Sequence, residues 1–145
     1  MAAVQQYTIK LERVGRVAEE QTALTQPSDA ERHLRPLFAD ADREMFAVLA
    51  LDARNRPIGS NVVSVGCLNA SIVHPREVFK FAILANAAAI ILAHNHPSGD
   101  LAPSADDETL TRKLVESGKI LGIEVLDHLI VTEDDVMSFQ ADGWM

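Results

Sequence analysis

Residues 89–107 read Ala-Ile-Ile-Leu-Ala-His-Asn-His-Pro-Ser-Gly-Asp-Leu-Ala-Pro-Ser-Ala-Asp-Asp. Ala89 to Ala93 is short, continuous and apolar, which reads as a buried strand. The chain leaves the core at His94. Pro97, Gly99 and Pro103 stiffen and turn the loop that follows. Ser104 is suited to cap a helix running from about Ser104 to Leu121, with Leu110, Leu114 and Val115 facing inward. A buried strand that empties into a loop and then an amphipathic helix is one step of a layered α/β fold.

The flanking sequence extends the pattern. Ile123 to Val131 reads as the next strand. Upstream, the apolar run Met45 to Leu51, the turn Asp52 to Pro57 and the strand Ile58 to Val65, with Val62, Val63 and Val65, form a hairpin. Gly66 to Ser71 connects onward. His74-Pro75-Arg76-Glu77 opens a helix with Pro75 at its first position, where the missing N–H costs nothing. Val78, Phe79, Ala82 and Ile83 continue it. Pro27-Ser28-Asp29-Ala30-Glu31 starts an earlier helix, in which Ser28 and Glu31 make a capping box. That helix carries Leu34, Leu37 and Phe38 inward and ends near Asp40. Tyr7, Ile9 and Leu11 alternate with Thr8, Lys10 and Glu12, the pattern of a short edge strand. Residues 14–27 read as a loop or weak helix, and residues 132–145 as one helical turn plus coil around Phe139 and Trp144. The expected architecture is α/β (α+β), a mixed central sheet flanked by helices. Its continuous apolar strands call for cover on both faces. Residues 1–26 are a strand-and-loop extension and residues 27–145 the domain.

Composition narrows the function. The chain has 145 residues, 48% apolar and 23% charged, which are the proportions of one globular domain. Its net charge is −8. Binding to a polyphosphate backbone runs on clustered Lys and Arg, so direct nucleic-acid binding is disfavoured. Cys67 is alone, which excludes an intrachain disulfide and suits a reducing cytoplasm. It reads as a small buried thiol. The amino terminus has no basic segment leading into an apolar one, so no signal peptide is expected. The longest apolar run, Ala87 to Ala93, is far below the roughly 20 residues that span a bilayer, and no membrane partner is expected.

The chemistry lies in the opening stretch. His94 and His96 are two apart in extended chain, so both imidazoles project to one side while Asn95 points to the other. A catalytic zinc site typically has three protein ligands and one open position. Two acids, Asp106 and Asp107, could supply the third. Asp107 shares an inward stripe with Leu110, Leu114 and Leu121 and is the better choice. Ser104 lies on the same face, where its hydroxyl could reach an oxygen at the metal. A general base is also needed. Asp100 and Asp106 are loop acids of the kind usually solvated. Glu44 begins an otherwise apolar strand, where a carboxylate needs a reason.

His94-x-His96-Pro97-x-Gly99, then Ser104-x-x-Asp107, with Glu44 ahead on a strand, resembles the JAB/MPN metalloprotease motif known as JAMM. The surrounding runs His74-Pro75-Arg76-Glu77, Ala93 to Asp100, Pro103-Ser104 and Leu126-Asp127-His128 resemble the RadC family, historically labelled DNA repair proteins. The resemblance covers about residues 27–145. It implies a JAB/MPN, cytidine-deaminase-like architecture. It also implies one zinc ion per chain on His94, His96 and Asp107, with Glu44 handling the proton of the attacking water and Ser104 helping to hold the oxyanion. The expected activity is hydrolysis of a peptide or isopeptide bond in a peptide or protein substrate. Longer RadC proteins begin with a helix-hairpin-helix segment associated with DNA, and residues 1–26 do not resemble one.

Two rival readings come from the same family. A non-catalytic protein-interaction module is one, but such domains typically lose ligands and here all five motif positions are filled. A DNA repair role is the other, and the charge speaks against direct binding. Two His and one carboxylate also suit non-haem Fe(II), although the resemblance favours zinc. His-Asn-His spells the name of a nuclease class as well. That class spreads its three residues over a ββα unit instead of in tandem, so the reading is set aside. Asp127-His128 reads as a polar step in a strand before it reads as support for a ligand. His74 caps or precedes its helix, and Arg76 and Glu77 suit either a surface pair or a place in the cleft.

Overall fold

The computed structural model describes residues 2–15, 22–66 and 73–145. A five-stranded sheet forms the centre. Its strands are β1 (Met45–Leu51), β2 (Pro57–Val65), β3 (Ala89–Asn95), β4 (Glu124–Val131) and β5 (Val136–Ser138), in the spatial order β2-β1-β3-β4-β5. β3 and β4 are parallel, and the other pairings are antiparallel.

The helices are α1 (Pro27–Leu34), α2 (Pro75–Leu84) and α3 (Ala105–Leu121), and a 3-10 turn at Arg35–Phe38 follows α1. Strand alternation sorts the core into two layers. Phe46, Val48, Ile90 and Leu92 pack with Val78, Phe79 and Ala82 of α2 and with Leu110 and Leu114 of α3. Ala47, Leu49, Ile91, Ala93 and Leu129 pack with Ala30, Leu34 and Phe38 on the opposite face. The mixed sheet with helices on both faces is the architecture expected, and β1 and β3 are buried almost throughout. The outer strand β2 is only partly covered.

Several boundaries differ for local reasons. α1 starts at Pro27, with no Ser28 cap; the Asp29 carboxylate takes the amides of Thr25 and Gln26 at 2.9 and 3.1 Å. Proline's fixed φ and missing N–H favour it in the first turn. The α-helix ends at Leu34 instead of near Asp40, because Pro36 cannot donate to the carbonyl one turn back. The segment at Tyr7, Ile9 and Leu11 is no strand: Tyr7 and Ile9 are 81% and 73% exposed. Its alternation finds no neighbouring strand, and unpaired strands are not stable alone. Leu121 is 47% exposed, although it shares the helical face of Leu110 and Leu114. It is the last residue of α3, directly before the left-handed Gly122 that ends the helix, so the stripe runs on past the core that Leu110 and Leu114 fill. The tail supplies a fifth strand, β5, where only a turn and coil are expected. Cys67 and much of the expected loop over residues 14–27 lie outside the described residues.

Candidate metal centre

The site sits where β3 ends and α3 begins. α3 is the crossover that makes β3 and β4 parallel, so its first turn stands over the carboxyl ends of those strands, where open α/β sheets commonly place ligands. Ile90 and Leu92 face α2 and α3, and His94, next on the same side, is 1% exposed. Ser104 takes the N-cap of α3, its hydroxyl accepting the Asp107 amide at 3.0 Å. The Asp107 carboxylate accepts the Ser104 amide at 2.8 Å. This reciprocal box turns Asp107 inward, where it is 6% exposed, while Asp106 stays outside.

The three expected ligands converge. His94 Nε2 and His96 Nε2 are 2.9 Å apart, and Asp107 oxygens lie 3.4 Å from the first and 3.3 Å from the second. Ligands about 2.0–2.1 Å from a tetrahedral zinc lie roughly 3.3 Å from one another. The three donor atoms fall within 4.8 Å of each other, and the group could hold a metal ion. The tautomers support this. His96 Nδ1 is 2.6 Å from the Asp100 carbonyl, which can only accept, so Nδ1 carries the proton and Nε2 is free to ligate.

The charges are coupled. Burial alone would raise the Asp107 carboxyl, but the His94 and His96 imidazoles beside it outweigh burial and hold the group well below the usual carboxylate range. His96 is raised above its ordinary 6.5, chiefly by its hydrogen bond to Asp107, against burial and with help from the Asp100 carbonyl and the charges of Asp107 and Glu44. A site already arranged around positive charge favours a cation.

Glu44 stands just ahead of β1, half-buried, with its carbonyl accepting the Gly66 amide at 2.7 Å. Phe46, two residues on, pairs with His94 across β1 and β3. The structure therefore places Glu44 at the same end of the sheet as the histidines, close enough for its charge to act on His96. Asn95 faces the other way and binds the backbone on both sides of Glu44. Ser104 is exposed at the rim; its oxygen accepts the Asp107 amide, and its own proton remains to be donated.

Reading Asp127-His128 as a polar step in a strand is corrected. His128 is fully buried, and its Nε2 lies 2.7 Å from His94 Nδ1. Its Nδ1 lies 2.6 Å from Thr111 Oγ1, and that hydroxyl donates to the Asp107 carbonyl at 2.7 Å. Phe139 stacks on the His128 ring at 4.6 Å and Phe46 meets it edge-on at 5.5 Å. Burial pushes the His128 imidazole well below its ordinary value, so it is neutral. Asp127 anchors the tail instead, accepting the Ser138 hydroxyl at 2.6 Å and the Gln140 amide at 3.0 Å, and burial raises its carboxyl. Thr111 was legible only as one turn beyond Asp107 on the inward stripe. His74 takes the N-cap position of α2 without a side-chain capping bond, and Glu77 pairs with Lys80 at 2.9 Å on the surface.

No described helix is long and apolar enough to cross a membrane. Residues 24–144 match the RadC-like JAB domain. A UPF0758 protein of Methanosarcina barkeri is 45% identical over 129 residues, which cover 89% of this chain and 56% of that protein. One from Staphylococcus aureus is 46% identical, covering 92% of this chain and 59% of the relative. One from Symbiobacterium thermophilum is 50% identical, covering 83% and 51%. The chain thus spans about half the length of the curated relatives it matches. With the match running over most of its length, the chain belongs to the RadC-like JAB domain family.

Proposed function

We propose that this domain is a zinc-dependent hydrolase of the JAMM type that cleaves a peptide or isopeptide bond. The observation that carries the reading is the convergence of His94 Nε2, His96 Nε2 and an Asp107 carboxylate at one end of the sheet, the end at which Glu44 leads into β1. Two nitrogens and one oxygen are a donor set typical of catalytic zinc. A zinc ion there would supply Lewis acidity and lower the pKa of water toward neutrality.

The chain's own residues supply the rest. Asp100 and His128 set which imidazole nitrogens face the site. Glu44 takes the proton shed by the attacking water and passes it to the leaving amine. Ser104, whose oxygen is already committed to the Asp107 amide, uses its remaining proton to bind the oxygen on which negative charge develops.

Two measurements test this. Purified protein is expected to hold about one zinc per chain, and a His94→Ala, His96→Ala double variant to hold none; full occupancy in the double variant overturns the metal assignment. A panel of peptide and isopeptide substrates is expected to be cleaved by the parent and not by Glu44→Gln. Equal background from both would favour a non-catalytic interaction module.

A further inference from the structure

We infer that Thr111 and His128 are positioning residues that lock His94 in the ligating tautomer and tie it to the turn carrying Asp107. The inference rests on the reading of His94, His96 and Asp107 as metal ligands.

Thr111 has one hydroxyl proton and two close partners, the Asp107 carbonyl at 2.7 Å and His128 Nδ1 at 2.6 Å. A carbonyl can only accept, so the hydroxyl proton goes to Asp107. The Thr111 oxygen must then accept, which places a proton on His128 Nδ1. A neutral imidazole carries one N–H, so His128 Nε2 is bare. The 2.7 Å contact between His128 Nε2 and His94 Nδ1 is then a hydrogen bond donated by His94. His94 is left with a lone pair on Nε2, the atom that faces His96 and Asp107.

Reversing the direction would leave the Thr111 and Asp107 oxygens in contact with no proton between them. The path from Thr111 through His128 to His94 Nδ1 therefore has one satisfied direction, and it leaves His94 Nε2 without a proton. It joins β3, β4 and α3, so the two ligands it reaches are held by separate elements through one buried network. Phe46 and Phe139 close on the His128 ring, whose nitrogens meet only Thr111 and His94 among the described residues. The path ends on a backbone carbonyl, so it orients and does not conduct protons.

The test uses the full chain and zinc. Zinc dissociation constants are measured by chelator competition at fixed pH for the parent, Thr111→Val and Thr111→Ser, with imidazole nitrogen-15 spectra of the parent. Loss of an outer-shell partner is expected to weaken zinc about 10–100-fold in Thr111→Val, while Thr111→Ser stays within about 3-fold. The metal-free parent is expected to show His94 protonated at Nδ1. Thr111→Val binding as tightly as the parent, Thr111→Ser losing as much as Thr111→Val, or His94 protonated at Nε2 would each overturn the inference. If Thr111→Val does not fold, the Thr111→Ser affinity and the tautomer decide it. A parent that binds no zinc would fail the metal reading itself, a result distinct from a parent that binds zinc and is indifferent to Thr111.

Discussion

Asn95 and Met45 are joined across the sheet by a 2.6 Å hydrogen bond from the Met45 amide to Asn95 Oδ1. The Asn95 Nδ2 donates to the Arg43 carbonyl at 3.1 Å, so a single 6%-exposed amide side chain grips the chain on both sides of Glu44. The tripeptide His94-Asn95-His96 thus faces two ways, with two imidazoles toward the metal centre and an amide toward the proposed base. Asn95→Ala leaves the Met45 amide and Arg43 carbonyl without this partner. It is expected to lower unfolding free energy by about 1–3 kcal/mol, measured by urea denaturation. Zinc content is expected to stay at the parent level while hydrolysis falls, since the ligands are intact and Glu44 is freed. Loss of zinc in step with loss of activity would contradict this division of labour.

The charges at the site give a pH prediction with opposite signs for the metal-free and zinc-loaded protein. The Asp107 carboxyl is held below 3.8, so its contribution to stability is present above 3.8 and lost as pH falls through the lowered value. His96 is held above 6.5, so its contribution is present below 6.5 and lost as pH rises through the raised value. The metal-free pair is therefore strongest between these limits. Zinc instead competes with the histidine protons and gains with pH. Calorimetric melting with chelator is expected to show a melting temperature that declines from about pH 6 to about pH 8.5, while the gap to the zinc-saturated protein widens. Parallel curves would show that the histidines do not govern binding.

What could be read in the sequence was what depends on spacing along the chain. His94 and His96 are two apart on one strand. Asp107 is three and seven residues from Leu110 and Leu114, and its burial beside an exposed Asp106 follows from that stripe. What could not be read depends on partners across space. His128 reaches His94 only because β4 runs parallel to β3 in a register that pairs Leu92 with His128, and sequence spacing carries no register. Thr111 is an unremarkable helix residue until His128 stands beside it. The residues of β5 become a strand only through pairing with β4. Tyr7, Ile9 and Leu11 show the converse, an alternating pattern with no described strand to complete it.

Ser104 has two roles that separate by substitution. Its oxygen caps α3 at 3.0 Å from the Asp107 amide, and its proton is free for the oxyanion. Ser104→Ala is expected to cost about 1 kcal/mol of stability, and Ser104→Gly only a few tenths, as at N-caps generally. Both remove the hydroxyl, so both are expected to lose hydrolysis by a similar factor, on the order of 10²–10³ if the donor serves the oxyanion. Activity tracking stability across the two variants would reduce Ser104 to a cap.

Gly118 decides how closely α3 can approach β4. A Cβ placed there would stand 2.3 Å from the Ile123 carbonyl oxygen, with Val125 Cγ2 at 3.3 Å and Phe79 Cζ at 3.4 Å. The Ile123 amide also donates to the Gly118 carbonyl at 3.0 Å, so the obstructing atom belongs to a backbone already fixed by the return from Gly122. Helix propensity alone favours Gly118→Ala by about 1 kcal/mol. Forcing a methyl against backbone costs about 1–3 kcal/mol or more, and the oxygen cannot rotate away as a side chain would. Packing is therefore expected to win, with Gly118→Ala net destabilising in urea titration. The variant is also expected to retain its zinc when folded, since Gly118 lies eleven residues, about three turns, from Asp107 along α3. A stabilised Gly118→Ala would mean that α3 shifts on β4 at little cost.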